Sequence, residues 1–568
     1  MDLKHKLFDV PKISSIQDMV LMIGRDHAGK IALEDLNDTP IKKLTFEKLL
    51  DNVLRFGAGL RKLGIKERTH IAVIGENRVQ WALTYLTAMT FDYVIVPIDK
   101  NLTQNEILNI LYESESEVIV FSKNYNNLMD EEAAAISKLK VKISMDINAN
   151  EDDRISMSAL IESTPPAGID SLPRINPDQM AEIIFTSGSL GRAKGVMLSQ
   201  KNLAINLMSM TSMIEITPDD RFLSVLPMHH TYECTCGMLC PLYKGGSVHF
   251  ARSLKTIVDD LQVVKATILL GVPLLFDKMF KRISKTIKED KVKSKVVPPL
   301  VKITGFLEKL GMKEIKQKVF KEMHHKFGGH VRIFIAGGAA PDPEVAKGLR
   351  EFGFTFLQGY GLTETAPITA LNRLMAYKDD SAGLPLPGVT LKIVEPDSDG
   401  VGEIYIKGDN VMIGYYKNEK LTAEAFDPEG YFKSGDLGYI DSDGFLHIRG
   451  RKKNVIIASN GKNVFPEEVE DILNRNPLVL ECFVYGEEDA KHKEIIAVQL
   501  VLNAETLIEY SEKHHVKIEE PLLEEIAAGI VKEANKHLAP YKQIQKYYVR
   551  EKEFEKTTTQ KIKRYLVK

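Results

Sequence analysis

The amino-acid sequence predicts an α/β fold: a large N-terminal domain of parallel sheets with helices on both sides, a small β-barrel-like subdomain, and a smaller α+β C-terminal domain. Three observations predict it. From residue 45 to residue 335, short β-branched runs alternate with helix-period segments, the pattern of a parallel sheet with helical crossovers. Beyond residue 397 the texture changes to short strands broken by Asp-Gly and Gly turns, an antiparallel signature. After about residue 452 a shorter α+β stretch follows.

Thr45 is placed to cap a helix carrying Phe46, Leu49, Leu50, Val53, Leu60 and Leu63 at helical spacing and ending near Gly64. Strands are expected at His70–Ile74, Val94–Ile98 and Val118–Phe121, with helical segments at Trp81–Met89 and Thr103–Leu111 between them. The rhythm returns at Ile183–Phe185, Thr267–Leu270 and Val331–Ile335. Residues 146–180 are polar and proline-bearing and read as a connection between subdomains. In the C-terminal region a helix is expected at Pro466–Asn474, with strands near Glu481–Tyr485 and Ile495–Val501. The domain division expected is 1–451 and 452–568.

The chain has 568 residues, and 44% hydrophobic content beside 27% charged content excludes wholesale disorder. With 75 Lys+Arg against 78 Asp+Glu, the formal charge of -3 gives no global reason to bind nucleic acid. No apolar stretch approaches the ~20 residues that cross a bilayer; Ala266 to Phe276 is short and holds Gly271 and Pro273. Residues 1–6 are not followed by the apolar core of a secretory signal, and four cysteines form no disulfide framework in so long a chain. The expected location is therefore the cytoplasm. Cys234, Cys236 and Cys240 lack the spacing of a zinc site and are expected to pack in a core. Lys278 to Lys295 holds eight Lys/Arg, with Phe276, Met279, Phe280, Ile283 and Ile287 on one helical face. Such a helix suits a peripheral contact with anionic lipid, but a core-facing stripe with a solvated outer face is the preferred reading.

Four constellations carry chemistry. Thr186-Ser187-Gly188-Ser189-Leu190-Gly191-Arg192-Ala193-Lys194-Gly195 follows an apolar strand. Its glycines and hydroxyls can turn N–H and O–H donors into a concavity beside the Lys194 charge, which suits triphosphate oxygens. It is neither a Walker A loop nor a GxGxxG loop. The second is Gly337-Gly338-Ala339-Ala340-Pro341 with Gln358-Gly359-Tyr360-Gly361-Leu362-Thr363-Glu364-Thr365. Here an aromatic flanked by glycines can lie against a planar base, Thr363 offers a hydroxyl to phosphate, and Glu364 offers a hard oxygen to Mg²⁺. The third is Ser434-Gly435-Asp436 with Arg449-Gly450-Arg451-Lys452-Lys453, where Asp436 can accept hydrogen bonds from a ribose diol and an Arg can join it. The fourth is the basic tail Lys556 to Arg564, which carries no message by itself.

Together and in this order, these motifs resemble the acyl-adenylate-forming superfamily of acyl-CoA synthetases, beetle luciferases and peptide-synthetase adenylation domains. Residues 186–195 resemble its phosphate loop, 358–365 its GYGLTE core, 434–436 its SGD, 449–456 its GRxKxxI hinge and the tail its PKTxxGKIxR element. Leu226-Pro227-Met228-His229-His230-Thr231-Tyr232-Glu233 and Gly271-Val272-Pro273-Leu274-Leu275-Phe276-Asp277-Lys278 are similar to motifs of bacterial long-chain fatty acid–CoA ligases. Leu190, Ala193, Gly450, Glu555 and Gln560 depart from the usual pattern, but none of them replaces the Lys, Glu, Asp or Arg to which that family assigns chemistry.

The resemblance implies a fatty acid–CoA ligase using ATP, Mg²⁺ and coenzyme A, with a mobile C-terminal domain. It implies that Thr186, Ser187, Gly188, Ser189, Gly191 and Lys194 hold the β- and γ-phosphates and that Glu364 holds Mg²⁺ beside Thr363. Gly338, Ala339, Tyr360 and Gly361 would line the adenine site, and Asp436 and Arg451 would hold the ribose. Lys561 would bridge the attacking carboxylate and the α-phosphate, and His230 would lie near that carboxylate. Lys453 would carry the hinge, and Gly461 would leave room for pantetheine. The alternatives are a ligase for another carboxylic acid, one that loads an acyl carrier protein, and an idle binding protein that kept the fold.

Overall fold

In a computed structural model, the structure describes residues 7–38, 41–132, 136–151, 153–186, 193–312, 314–458, 462–488, 494–557 and 561–567. The chain divides into two compact units, Met1–Thr390 with Ile406–Phe432 and Leu391–Tyr405 with Lys433–Lys568.

The first unit holds two large sheets. One has eight strands in the order Gly414–Tyr415, Lys194–Ser199, Met180–Thr186, Val94–Pro97, His70–Ile74, Val118–Phe121, Val141–Ser144 and Ile155–Ser156. Its pairs run parallel from Met180–Thr186 to Ile155–Ser156. The pairs on either side of Lys194–Ser199 are antiparallel. The other has nine strands, with a parallel centre from Ile31–Asp35 through Ser247–Phe250, Arg221–Ser224, Ile268–Gly271 and Ile333–Ala336 to Thr355–Gly361. The apolar central strands are buried along their whole length, as a sheet covered on both faces requires.

Local sequence explains the helices. The Thr45 hydroxyl accepts a hydrogen bond from the Lys48 N–H, capping Phe46–Lys62, and Gly64 at φ +83° follows the helix end. Thr103 and Glu106 form a reciprocal capping box for Gln104–Glu113. The helix Pro273–Glu289 buries Phe276, Met279 and Ile283, with Phe280 and Ile287 packed against the same core, so the apolar stripe of the basic segment faces inward. All four cysteines are buried and reduced.

Residues 146–180 are more than a connection. Ile155–Ser156 extends the eight-stranded sheet, and the helix Met157–Glu162 brings Leu160 against Gly59, where a Cβ would stand only 2.7 Å from the Leu160 Cγ. Such close approach depends on partners a hundred residues apart, which local composition does not reveal.

The second unit carries most of a four-stranded sheet, Thr390–Val394, Gly402–Lys407, Phe432–Ile440 and Leu446–Arg451. Asp441 shapes its Asp-Gly turn by accepting from the N–H groups of Asp443 and Phe445, with Gly444 at φ +86°. The same unit has a three-stranded sheet, Val479–Glu488, Glu494–Leu502 and Lys546–Arg550, packed with Pro466–Asn474 and Glu520–Lys536 around one core.

Candidate active site

In the first unit, the strand Met180–Thr186 pairs antiparallel with Lys194–Ser199, with Thr186 opposite Lys194. The glycine- and serine-rich segment therefore joins two strands, unlike a loop that opens a helix. A helix N-terminus would add partial positive charge; here the cationic contribution comes from Lys194. Ser187, Gly188, Ser189 and Gly191 lie outside the described residues.

Lys194 is tied to Glu364 through a residue the motif reading missed. Tyr415 pairs with Val196, its ring centroid stands 5.3 Å from the Lys194 Nζ, and its hydroxyl donates to Glu364 Oε1 at 3.0 Å. The backbone of Glu364 is held as well, its carbonyl accepting from the Met412 N–H at 2.8 Å. Two buried asparagines fix the turn. Asn206 Nδ2 donates to the Ile368 carbonyl at 2.7 Å, and Asn410 Nδ2 donates to the carbonyls of Thr365 and Ile368, each at 3.0 Å. Thr363 opens this short turn, and the Thr365 hydroxyl accepts from the Leu362 N–H. Glu364 thus presents a hard carboxylate oxygen on the tyrosine whose ring faces the Lys194 ammonium, a donor set that fits Mg²⁺ bound with polyphosphate.

The glycines near Tyr360 have physical reasons to be there. Gly338 sits at φ +85°, a region that glycine enters without strain. A Cβ on Gly337 would stand 2.6 to 3.0 Å from ring atoms of Tyr232, whose hydroxyl donates to the Ile335 carbonyl. One on Gly361 would collide with the Pro367 carbonyl oxygen at 2.0 Å. Gly338 and Ala339 are exposed and Tyr360 is half-buried at the end of its strand, so a flat surface is open beside a narrow backbone. Beneath lies a narrow apolar cavity lined by Phe222, Tyr232, Cys236, Leu270, Ile335 and Ile368.

His230 is half-buried with its ring 4.3 Å from that of His229, whose Nε2 lies 3.4 Å from Asp99 Oδ2. Three residues further along the chain, burial pushes the Glu233 carboxyl up to about 8. The same cause raises Glu182 to about 8; its Oε2 accepts from the Tyr85 hydroxyl at 3.1 Å.

In the second unit, the hairpin register puts Asp436 opposite Arg451, whose Nε meets Asp436 Oδ1 at 2.8 Å. The Asp436 N–H donates to the Ser434 hydroxyl, which donates to the Ile404 carbonyl at 2.6 Å. Gly435 at φ +70° makes the bend between them. The tail brings Lys561 into the same field. Crowding by protein atoms lowers its ammonium pKa, Arg451 lowers it further and Asp436 raises it. Arg564 pins the tail, donating to Glu470 Oε2 at 2.5 Å and to the Val484 carbonyl at 3.1 Å. Ile562 packs on Phe483 and Phe554. Lys453 lies in the exposed turn Lys452–Asn454, and Gly461 lies outside the described residues.

The sites thus set a cation and a carboxylate on one tyrosine in one unit and an Asp–Arg pair with a lysine in the other, the residue types that nucleotide handling needs. The chain belongs to the AMP-binding enzyme family, whose model matches residues 23–416; the model of the AMP-binding enzyme C-terminal domain matches residues 468–561. It is similar to the long-chain-fatty-acid–CoA ligase FadD15 of Mycobacterium bovis, at 26% identity over 99% of this chain and 96% of that protein. It is also similar to the chloroplastic long-chain-fatty-acid–[acyl-carrier-protein] ligase AEE15 of Arabidopsis thaliana, at 26% identity over 84% of this chain and 75% of that one. Its fold is that of ATP-bound MatB from Rhodopseudomonas palustris, with a TM-score of 0.76, 24% identity, and 97% and 98% of the two chains covered.

Proposed function

We propose that this protein is an AMP-forming fatty acid–CoA ligase. The observation that carries the reading is the Lys194–Tyr415–Glu364 arrangement, in which the Tyr415 ring faces the Lys194 ammonium and its hydroxyl holds the Glu364 carboxylate. A carboxylate is a poor electrophile, and ATP overcomes this. The fatty acid carboxylate attacks the α-phosphorus, pyrophosphate leaves, and an acyl-AMP mixed anhydride forms. The coenzyme A thiol then attacks the acyl carbonyl, giving the thioester, AMP and a proton.

Thr186 and Lys194 hold the β- and γ-phosphates with residues 187–191, Thr363 offers its hydroxyl to phosphate, and Glu364 would hold Mg²⁺, which would neutralise phosphate charge. Gly338, Ala339, Tyr360 and Gly361 receive adenine, and Asp436 with Arg451 receives the ribose. Lys561 stabilises the charge that develops as carboxylate and α-phosphate meet, the kind of term that dominates such reactions. His230 lies near the acyl carboxylate. A turn about Lys453 then exchanges Lys561 for the segment around Gly461 for thiolysis.

Incubating the protein with ATP, Mg²⁺, coenzyme A and carboxylic acids from acetate to stearate, followed by mass spectrometry of the thioesters, tests the reading. Fatty acyl-CoA and AMP are the expected products; absence of carboxylate-dependent ATP–pyrophosphate exchange would overturn it. The likeness to a carrier-protein ligase favours a second reading, in which a phosphopantetheine-bearing protein replaces coenzyme A. Pyrophosphate exchange without coenzyme A consumption would select it.

A further inference from the structure

The helix Lys293–Lys309 packs one side on the core through Val297, Leu300 and Val301 and leaves the other side bare. Val292, Val296, Pro299, Ile303, Phe306 and Leu310 recur every three or four residues through its caps, so they project along one line of the helix. All six are exposed, Val292 at 69%, Phe306 at 63% and Leu310 at 64%. Monomeric surfaces scatter such residues singly, and a continuous stripe of them marks an interaction face.

The charge around the stripe selects its occupant. Residues 278–326 contain fifteen Lys/Arg and five Asp/Glu, in a chain whose overall charge is -3. Exposed Lys291, Lys295, Lys302 and Lys309 recur at helical spacing along one flank of the stripe. A second copy of the chain would bring two such positive fields face to face, and nucleic acid would leave the apolar line unburied. An anionic bilayer satisfies both features, since the apolar line enters the acyl boundary while lysine stems reach back to headgroup phosphates.

We propose that the outer face of Lys293–Lys309 docks this protein on anionic lipid bilayers. The inward stripe of Pro273–Glu289 is used by the core, so the lipid-facing surface belongs to the following helix.

Flotation of the full chain with vesicles of phosphatidylcholine alone, or of equimolar phosphatidylcholine and phosphatidylglycerol, tests this. Binding is expected only to the anionic vesicles and should weaken as salt is raised. The triple substitution Ile303→Ser, Phe306→Ser, Leu310→Ser should reduce that binding at least about tenfold. Replacing Lys291, Lys295, Lys302 and Lys309 by Gln should do likewise, each cation near the surface being worth roughly a factor of five. Leu254→Ser, at an exposed leucine outside the segment, should leave binding unchanged. All variants should keep the melting temperature and the ATP turnover measured without vesicles. Equal binding to neutral vesicles, undiminished binding by the triple variant, or a dimer that the triple variant converts to monomer without any vesicle binding would each overturn the proposal.

Discussion

Tyr415→Phe isolates one oxygen. The parent hydroxyl donates to Glu364 Oε1 at 3.0 Å while the ring faces Lys194 at 5.3 Å; the variant loses the hydrogen bond and keeps the ring. A hydrogen bond to a charged group contributes about 1.5–3 kcal/mol. Glu364 is half-buried, so water replaces part of the interaction and the lower figure applies. At about 1.4 kcal/mol per decade, that is roughly a tenfold loss. It should appear as a rise in the Mg²⁺ concentration needed for half-maximal ATP–pyrophosphate exchange. Tyr415→Leu removes the ring as well, and a cation–π contact of about 0.5–1 kcal/mol adds a further two- to fivefold loss. Exchange measured across a Mg²⁺ titration, beside melting curves that show both variants folded, decides the matter. An unchanged Mg²⁺ dependence in Tyr415→Phe would refute the idea that this hydroxyl orients a metal-binding carboxylate.

Two further outcomes are expected. Lys561→Ala should lose acyl-AMP formation by about 10²–10³, the usual cost of a transition-state contact, yet still convert supplied acyl-AMP and coenzyme A; an equal fall in both half-reactions would show that Lys561 serves no single step. Burial raises the Glu182 carboxyl from the ordinary value near 4.5 to about 8. The folded state therefore keeps a proton that the unfolded chain releases, so the stability this group contributes is complete below about pH 4.5 and is lost as pH rises towards 8, by up to on the order of 5 kcal/mol. Glu182→Gln should gain on the parent in melting temperature from pH ~5 to pH ~8.5, and a flat difference between the two would exclude this account.

Much of the fold was legible because its signals are local. Thr45 caps its helix from one side of a short pattern, the buried strands are apolar along their length, and Asp441 and Gly444 announce their turn. The sequence set an Arg near Asp436, but that Arg451 faces it follows from the hairpin register. Tyr415, Asn206 and Asn410 were not. Each acts on the Glu364 turn from 42 to 162 residues away, and nothing beside a Tyr or Asn in sequence tells which distant carbonyl or carboxylate it will meet. The bare face of Lys293–Lys309 escaped because helical period alone cannot say which of two apolar lines a core will cover.

The chain passes between its two compact units three times, since Leu391–Tyr405 joins one and Ile406–Phe432 returns to the other. The Ile404 carbonyl that steadies Ser434, and through it Asp436, therefore arrives from the earlier passage. Cutting the gene at a single point between them yields no self-sufficient half: a C-terminal fragment begun at Lys433 forfeits the strand beside its own Asp436. Splitting or swapping this protein calls for a graft of discontinuous segments.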